Sequence, residues 1–289
     1  MSTTALTLVV IGAFIHAFWN LLVKRAVGGV AFVWLFSLAS AVLYAPIVVA
    51  LLVFDPPEHY GLTQWLLILI SGVLHLLYAV TLSWGYKVAD LSVVYPVARG
   101  TGPLLSCLVA IAILGERPST IGWAGIALIV AGVFLIAATG SASVSDNRRR
   151  AQGVFYGGLT GMCIAAYTIN DAYAVKFLLV SPILLDYFGN IVRLIFLTPT
   201  VLTARAALRH QWRKNLRLGI MVGALMPLSY ILALFAMQLA PVSYVAPARE
   251  LSMLIGALFG AKLLHEGNTV QRLIGTILMI AGIIGLALA

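Results

Sequence analysis

The stretch Ala89–Gly132, ADLSVVYPVARGTGPLLSCLVAIAILGERPSTIGWAGIALIVAG, returns in altered form at Ala240–Gly282, APVSYVAPARELSMLIGALFGAKLLHEGNTVQRLIGTILMIAG. At an offset of 151, Ala89, Ser92, Val94 and Pro96 match Ala240, Ser243, Val245 and Pro247. One residue is then lost. At an offset of 150, Leu104, Leu108, Leu114, Glu116, Gly125, Leu128, Ala131 and Gly132 match Leu254, Leu258, Leu264, Glu266, Gly275, Leu278, Ala281 and Gly282. Shared apolar residues carry little weight in so apolar a chain. The common order of serine, proline, a glutamate in a turn and Ala-Gly carries more, and it divides the chain into two related halves.

The chain is 62% hydrophobic and 9% charged, with a mean hydropathy of +1.05. A water-soluble domain cannot hide that much apolar surface, so the solvent is lipid. The net charge of +9 does not point to nucleic acid. Its basic residues sit in short gaps between apolar runs, as they do in the cytoplasmic loops of membrane proteins. Cys107 and Cys163 lie inside apolar runs and make neither a disulfide framework nor a metal-ligand spacing. No basic residue precedes the first apolar run, while Lys24 and Arg25 follow it. This reads as a retained first span rather than a cleaved signal.

A spanning helix needs about 20 mostly apolar residues to cross about 30 Å of hydrocarbon. Ten segments qualify, at 5–26, 30–53, 64–87, 91–114, 120–138, 153–176, 182–203, 217–239, 242–264 and 270–288. The widest gap, Thr139 to Gln152, carries Arg148, Arg149 and Arg150 and splits the spans five and five. An odd number of spans per half makes the second half insert upside down. The expected fold is therefore all-α and integral to the membrane, as two inverted five-helix repeats. Its parts are residues 1–139, a polar basic linker at 140–152, and residues 153–289. Odd-numbered loops hold Lys24, Arg25, Lys87, Arg148, Arg149, Arg150, Arg205, Arg209, Arg213, Lys214, Arg217, Lys262 and Arg272; even-numbered loops hold Arg117 and Lys176. That asymmetry places the odd loops in the cytoplasm and both termini outside.

Arg99, Arg193 and Arg249 fall within predicted helices, where each costs about 2.5–3.5 kcal/mol to insert and so should face a polar interior. Asp171, Asp186 and Glu250 are the matching acids. Arg193 and Asp186, on one helix, suit a bundle-stabilising pair equally well. Arg99, Arg249 and Glu250 follow Pro96 and Pro247, where a missing backbone donor frees a carbonyl and suits a helix beside a wet cavity. On the first helix His16 and Asn20 are four residues apart and share a face, with Trp19 beside them. The corresponding helix of the second half carries Tyr167, Thr168, Asn170 and Asp171. His75 and Tyr78 on the third helix, and Tyr95 and Tyr244 near the two prolines, complete a candidate substrate-binding set. Each histidine or ring taken alone is equally well a packed residue or an interface anchor. Gly153, Gly157 and Gly161, and Gly256 with Gly260, have the four-residue spacing that lets helices pack closely. Glu116 and Glu266 are expected to fix the turn into the next helix, since carboxylates suit a helix N-terminus.

The chain carries no phosphate-binding glycine loop, HExxH, Gly-x-Ser-x-Gly or aspartate-rich metal motif. No catalytic residues, metal site or cofactor are expected, and without a nucleotide-binding segment the chain alone is no primary pump. A membrane enzyme acting on lipid-linked substrates is the remote alternative.

Ala89 with Ser92, Tyr95-Pro96, Arg99, Pro103 and the Leu114-Gly115-Glu116 turn before a Gly-rich helix, repeated in Ser243, Pro247, Arg249 and Glu266, resemble the drug/metabolite transporter superfamily. The resemblance is to its ten-helix branch of two EamA-type repeats and spans almost the whole chain. It implies a secondary carrier in a bacterial inner membrane, moving a small metabolite by alternating access and monomeric in the simplest case. Exporters of amino acids, aromatic ones included, are the nearest in size; export of cationic drugs such as methyl viologen is the alternative. The four-helix multidrug relatives place a membrane glutamate eight residues before a lysine. Counting back from Lys24 and Lys176 gives His16 and Thr168 instead, so that route of proton-driven drug antiport lacks its carboxylate.

Overall fold

The computed structural model describes residues 1–26, 29–89, 91–138, 147–255 and 269–289. Among them the chain is a bundle of α-helices: α1 (Thr3–Ala26), α2 (Gly29–Phe54), α3 (Leu62–Val88), α4 (Leu91–Ile113), α5 (Thr120–Ala138), α6 (Asn147–Lys176), α7 (Pro182–Thr203), α8 (Arg205–Leu239), α9 (Val242–Ala248) and α10 (Thr269–Leu288). Six of these (α1 to α4, α7 and α8) are long and apolar enough to span a bilayer by length and composition, and the apolar cores of α5 and α10 are shorter. Large apolar side chains such as Phe14, Phe18, Phe54, Ile195 and Ile277 are exposed on the outside. Such a surface is stable only against hydrocarbon.

Three boundaries differ from the sequence reading. Helix α6 begins at Asn147 and takes in Arg148–Arg150, and α8 begins at Arg205 and carries its basic stretch as helix. Both basic segments continue a helix past the apolar core rather than forming loops. The expected span 242–264 is interrupted: α9 ends at Ala248, Arg249 and Glu250 form a turn, and 251–255 are helical again. Pro247 lies inside α9, one residue before its end, and the helical pattern is lost just after it, where Arg249 N–H still donates to the Val245 carbonyl (3.1 Å). The chain tightens there, with Glu250 N–H donating to the Pro247 carbonyl (3.0 Å) and Met253 N–H to that of Glu250 (2.8 Å). Helix α4 runs through Pro96 without such a break. Arg249 thus sits at a helix break, not within a helix.

Packing shows the relation between halves. Helix α1 packs on α8 and α6 on α3, α2 on α8 and α7 on α3, while α2 with α7 and α5 with α10 pair across the pseudo-two-fold. Glycines set the closest approaches. A Cβ on Gly157 of α6 would lie 2.8 Å from the Val94 carbonyl oxygen of α4, and one on Gly132 of α5 would lie 2.6 Å from that of Gly275 on α10. In lipid no hydrophobic force draws helices together, so this contact between backbones supplies much of the attraction. Gly256 and Gly260 lie outside the described residues.

One end of the bundle is tied across the repeats by Glu116, in the turn after α4. Its two carboxylate oxygens accept the N–H groups of Val242 (2.7 Å) and Ser243 (2.8 Å), which open α9. Lys176, closing α6, approaches the same carboxylate at 3.5 Å and donates to the Ala240 carbonyl at 3.3 Å. The glutamate therefore caps a helix of the other half, not the next helix as its position in the sequence suggests. The entry of α5 is held instead by the Ser119 hydroxyl, which accepts from Gly122 N–H (3.1 Å). Glu266 lies outside the described residues.

Candidate functional site

Between the halves lies a cavity lined from α1 by His16, from α4 by Arg99 and Ser106, from α6 by Tyr167 and Thr168, from α8 by Ser229, and from the break after α9 by Arg249, Glu250 and Ser252. About 30 Å³ is open to the centre of a water molecule, room for about two or three waters. The helices must part to admit a larger guest.

Its charges are ordered. The Arg99 Nη2 lies 2.8 Å from the Glu250 carboxylate and donates to Ser252 Oγ at 3.3 Å. Both charged groups are largely buried, and the cost of desolvating them is offset by the closeness of the opposite charges and by the Ser252 contact. Arg249 is held differently. Its guanidinium carbon lies 5.0 Å from the centre of the Tyr230 ring, a cation–π contact, and among the described residues it forms no ion pair with a carboxylate.

An aromatic cluster flanks this centre. The His75 and Tyr167 rings stack at 4.1 Å, Tyr230 meets His75 edge-on at 5.2 Å, and Tyr78 meets Tyr167 at 6.0 Å. His75 Nδ1 lies 2.9 Å from the Ser71 carbonyl. A carbonyl only accepts, so Nδ1 carries a hydrogen, and in the neutral ring Nε2 is left as an acceptor. Asp171 is fully buried beside the cluster, accepting from Tyr230 Oη (2.5 Å) and Asn170 Nδ2 (2.9 Å).

The structure gathers His16, Arg99, Tyr167, Arg249 and Glu250 on the cavity wall, with His75 and Tyr78 behind Tyr167. Trp19 packs edge-on to His16 at 4.8 Å and donates to Ser229 Oγ at 3.1 Å, one layer from the wall. Three expected residues are elsewhere. Asn20 is exposed and donates to the His16 carbonyl of its own helix (2.8 Å). Tyr95 lies on an exposed face of α4. Tyr244 is buried at the start of α5, where its hydroxyl accepts from Ser119 N–H at 3.0 Å. Arg193 donates to Asn190 Oδ1 (2.6 Å), and Asn190 to the Ser37 carbonyl (3.0 Å). Asn190 thus binds α7 to α2 with Arg193 holding its side chain, and Arg193 makes no ion pair to Asp186 among the described residues.

Tyr230 was not among the expected residues, although it joins Arg249 to Asp171. Its signal was present: 152 residues separate Tyr78 from Tyr230, the same spacing that separates Lys24 from Lys176. Ser229 and Ser252 carried no such signal. Among the described residues no group of histidines, cysteines and acids could hold a metal ion.

A membrane-embedded helical bundle of two inverted repeats, with a charged cavity lined from both, has the architecture of a membrane transporter. The chain belongs to the EamA-like transporter family, whose profile matches residues 3–138 and 151–288. It is a multi-pass membrane transporter of small molecules. No curated protein sequence matches it. A solved structure described as "Crystal structure of protein" is similar over 100% of this chain and 99% of its own, with a TM-score of 0.76 at 14% identity, a likeness of fold alone.

Proposed function

We propose that the protein carries zwitterionic amino acids, aromatic ones included, across a bacterial inner membrane by alternating access between its repeats. One observation carries this reading: of two guanidiniums at the cavity, Arg99 is already paired with Glu250, while Arg249, among the described residues, rests on the Tyr230 ring without a carboxylate partner. Arg249 is then free to exchange a ring face for a substrate carboxylate, a stronger and charge-assisted partner. The ammonium falls to Glu250, which lines the cavity, and not to Asp171, which is covered by Tyr230 and Asn170. Tyr167, with His75 and Tyr78 behind it, offers a surface for an aromatic side chain. A purely cationic drug would meet two guanidiniums and one carboxylate, a net repulsion in a medium that screens little.

The test is uptake of labelled phenylalanine and of phenethylamine, its analogue without the carboxylate, by purified protein in liposomes. Arg249→Gln should lower phenylalanine uptake at least about tenfold, the equivalent of one lost charge-assisted bond of about 1.5–3 kcal/mol, and affect the amine less. Normal phenylalanine transport by both Arg249→Gln and Arg99→Gln would make these arginines structural and move the site elsewhere.

The basic start of α8 meets the end of α1 that carries Lys24 and Arg25, where Asn215 donates to the Ala26 carbonyl (2.9 Å). The start of α6 meets the chain beyond Lys87, where a Cβ on Gly153 would lie 3.1 Å from that of Ala89. This gathering of basic ends supports an orientation with both termini outside. A single cysteine in place of Arg149 should then react with an impermeant maleimide in inside-out vesicles only. Reaction in intact spheroplasts reverses the orientation and leaves the fold untouched.

A further inference from the structure

The geometry points to Asp171 as a proton-binding site linked to the substrate cavity through Tyr230, so that one proton travels with each substrate carboxylate. This rests on the transport reading above.

Asp171 is fully buried on α6, and both of its oxygens are held by neutral donors, Tyr230 Oη at 2.5 Å and Asn170 Nδ2 at 2.9 Å. The Asn170 amide also donates to the Leu67 carbonyl of α3 at 3.0 Å, so the acid is anchored to a second helix. Facing it are His75 on α3, Tyr167 on its own helix, Asp186 with Arg193 on α7, and Tyr230 on α8; beyond Tyr167 and Tyr230 lie Tyr78 on α3, Arg99 on α4, and Arg249 and Glu250 after α9. None of the cations in this group forms an ion pair with Asp171 among the described residues. An ionised carboxylate buried without a counter-ion is costly, and in membrane proteins such an acid marks a proton path. The neutral acid keeps the Asn170 donor and turns its own hydrogen toward the Tyr230 oxygen, which releases the tyrosine's hydrogen toward another acceptor.

Tyr230 supplies the linkage, because its hydroxyl holds Asp171 while its ring holds Arg249 at 5.0 Å. The positive charge of Arg249 favours the ionised acid. A substrate carboxylate docked on Arg249 cancels that field on the side nearest Asp171 and so removes its bias against the proton. Substrate and proton binding therefore favour each other, as linkage requires in both directions. The expected result is cotransport in one direction, with the proton leaving when the carboxylate leaves.

Two measurements test this. The first needs no substrate: infrared difference spectra of the purified protein between acid and alkaline buffer should show a protonated-carboxyl band that Asp171→Asn removes and Asp171→Glu returns. If Asp171→Asn loses no such band, the proposal is overturned. The second uses liposomes enclosing a pH-sensitive dye. Under an inward phenylalanine gradient the wild-type lumen should acidify in fixed ratio to labelled phenylalanine taken up, and the ratio should collapse in Asp171→Asn and recover in Asp171→Glu. Phenylalanine uptake without acidification, alkalinisation, or an unchanged ratio in Asp171→Asn overturns it. Failure of the wild type to move any amino acid would instead sink the substrate reading, and the infrared band alone would then decide the proton site. Elution of each variant as a folded species on size exclusion guards against a loss caused by misfolding.

Discussion

Glu116→Ala should lower the stability of the purified protein by about 3–5 kcal/mol, the usual cost of removing one partner from a buried charged contact. The reason lies in the other half of the chain. The alanine leaves Val242 N–H and Ser243 N–H without their acceptors and Lys176 without its carboxylate. Charge-assisted bonds of this kind are worth about 1.5–3 kcal/mol each, and because they share one carboxylate their losses are not additive. Thermal unfolding in detergent, followed by intrinsic fluorescence, would show the change as a fall in melting temperature. Glu116→Gln should be milder, since its carbonyl oxygen still accepts one of the two amides. A variant Glu116→Ala that melts with the wild type would mean that water replaces the cap. The contact would then contribute nothing to holding the repeats together at that end.

The second large effect concerns the pair at the cavity. Glu250→Ala strands Arg99, whose guanidinium lies 2.8 Å from the lost carboxylate and is 16% exposed as a side chain. Removing one partner of a buried pair costs about 3–5 kcal/mol, whereas replacing both with apolar residues of similar volume is often neutral or stabilising. Arg99→Met with Glu250→Met should therefore recover most of the stability that Glu250→Ala loses, while amino acid transport stays absent. Such a result would separate the pair's part in folding from its part in binding. Recovery of transport together with stability would show that the pair only holds the bundle, and that substrate meets other groups.

Much of the architecture was legible in the amino-acid order because its causes are local. Apolar runs of spanning length, the turn at Gly115–Pro118 and the repeated Ser-Pro-Glu pattern each need only neighbouring residues to be read. Arg99, Arg249 and Glu250 were legible as cavity residues for a related reason: a charge inside an apolar helix has few other places to go. Tyr244 and Asn20 show where this reasoning stops. Each is a polar residue of the right kind in the right segment, yet one points to the start of α5 and the other to its own backbone. A polar side chain in a membrane helix takes the first donor or acceptor that packing offers, and that partner is not encoded in spacing along one helix.

The sequence by itself determined that this protein is a two-repeat helical bundle in a membrane, that the second repeat is inverted, and that Arg99, Arg249 and Glu250 lie close after Pro96 and Pro247. Only the tertiary structure decided which of two like arginines is engaged by Glu250 and which is left to the ring of Tyr230. It also decided that the chain breaks its helix at Arg249–Glu250 while α4 continues through Pro96, and that Glu116 caps α9 across the repeat boundary. The physical reason is common to all three. Hydropathy and periodicity act along the chain, but the partner of a buried charge is set by which helices approach closely. That approach depends on contacts such as Gly157 against Val94 and Gly132 against Gly275, between residues far apart in sequence.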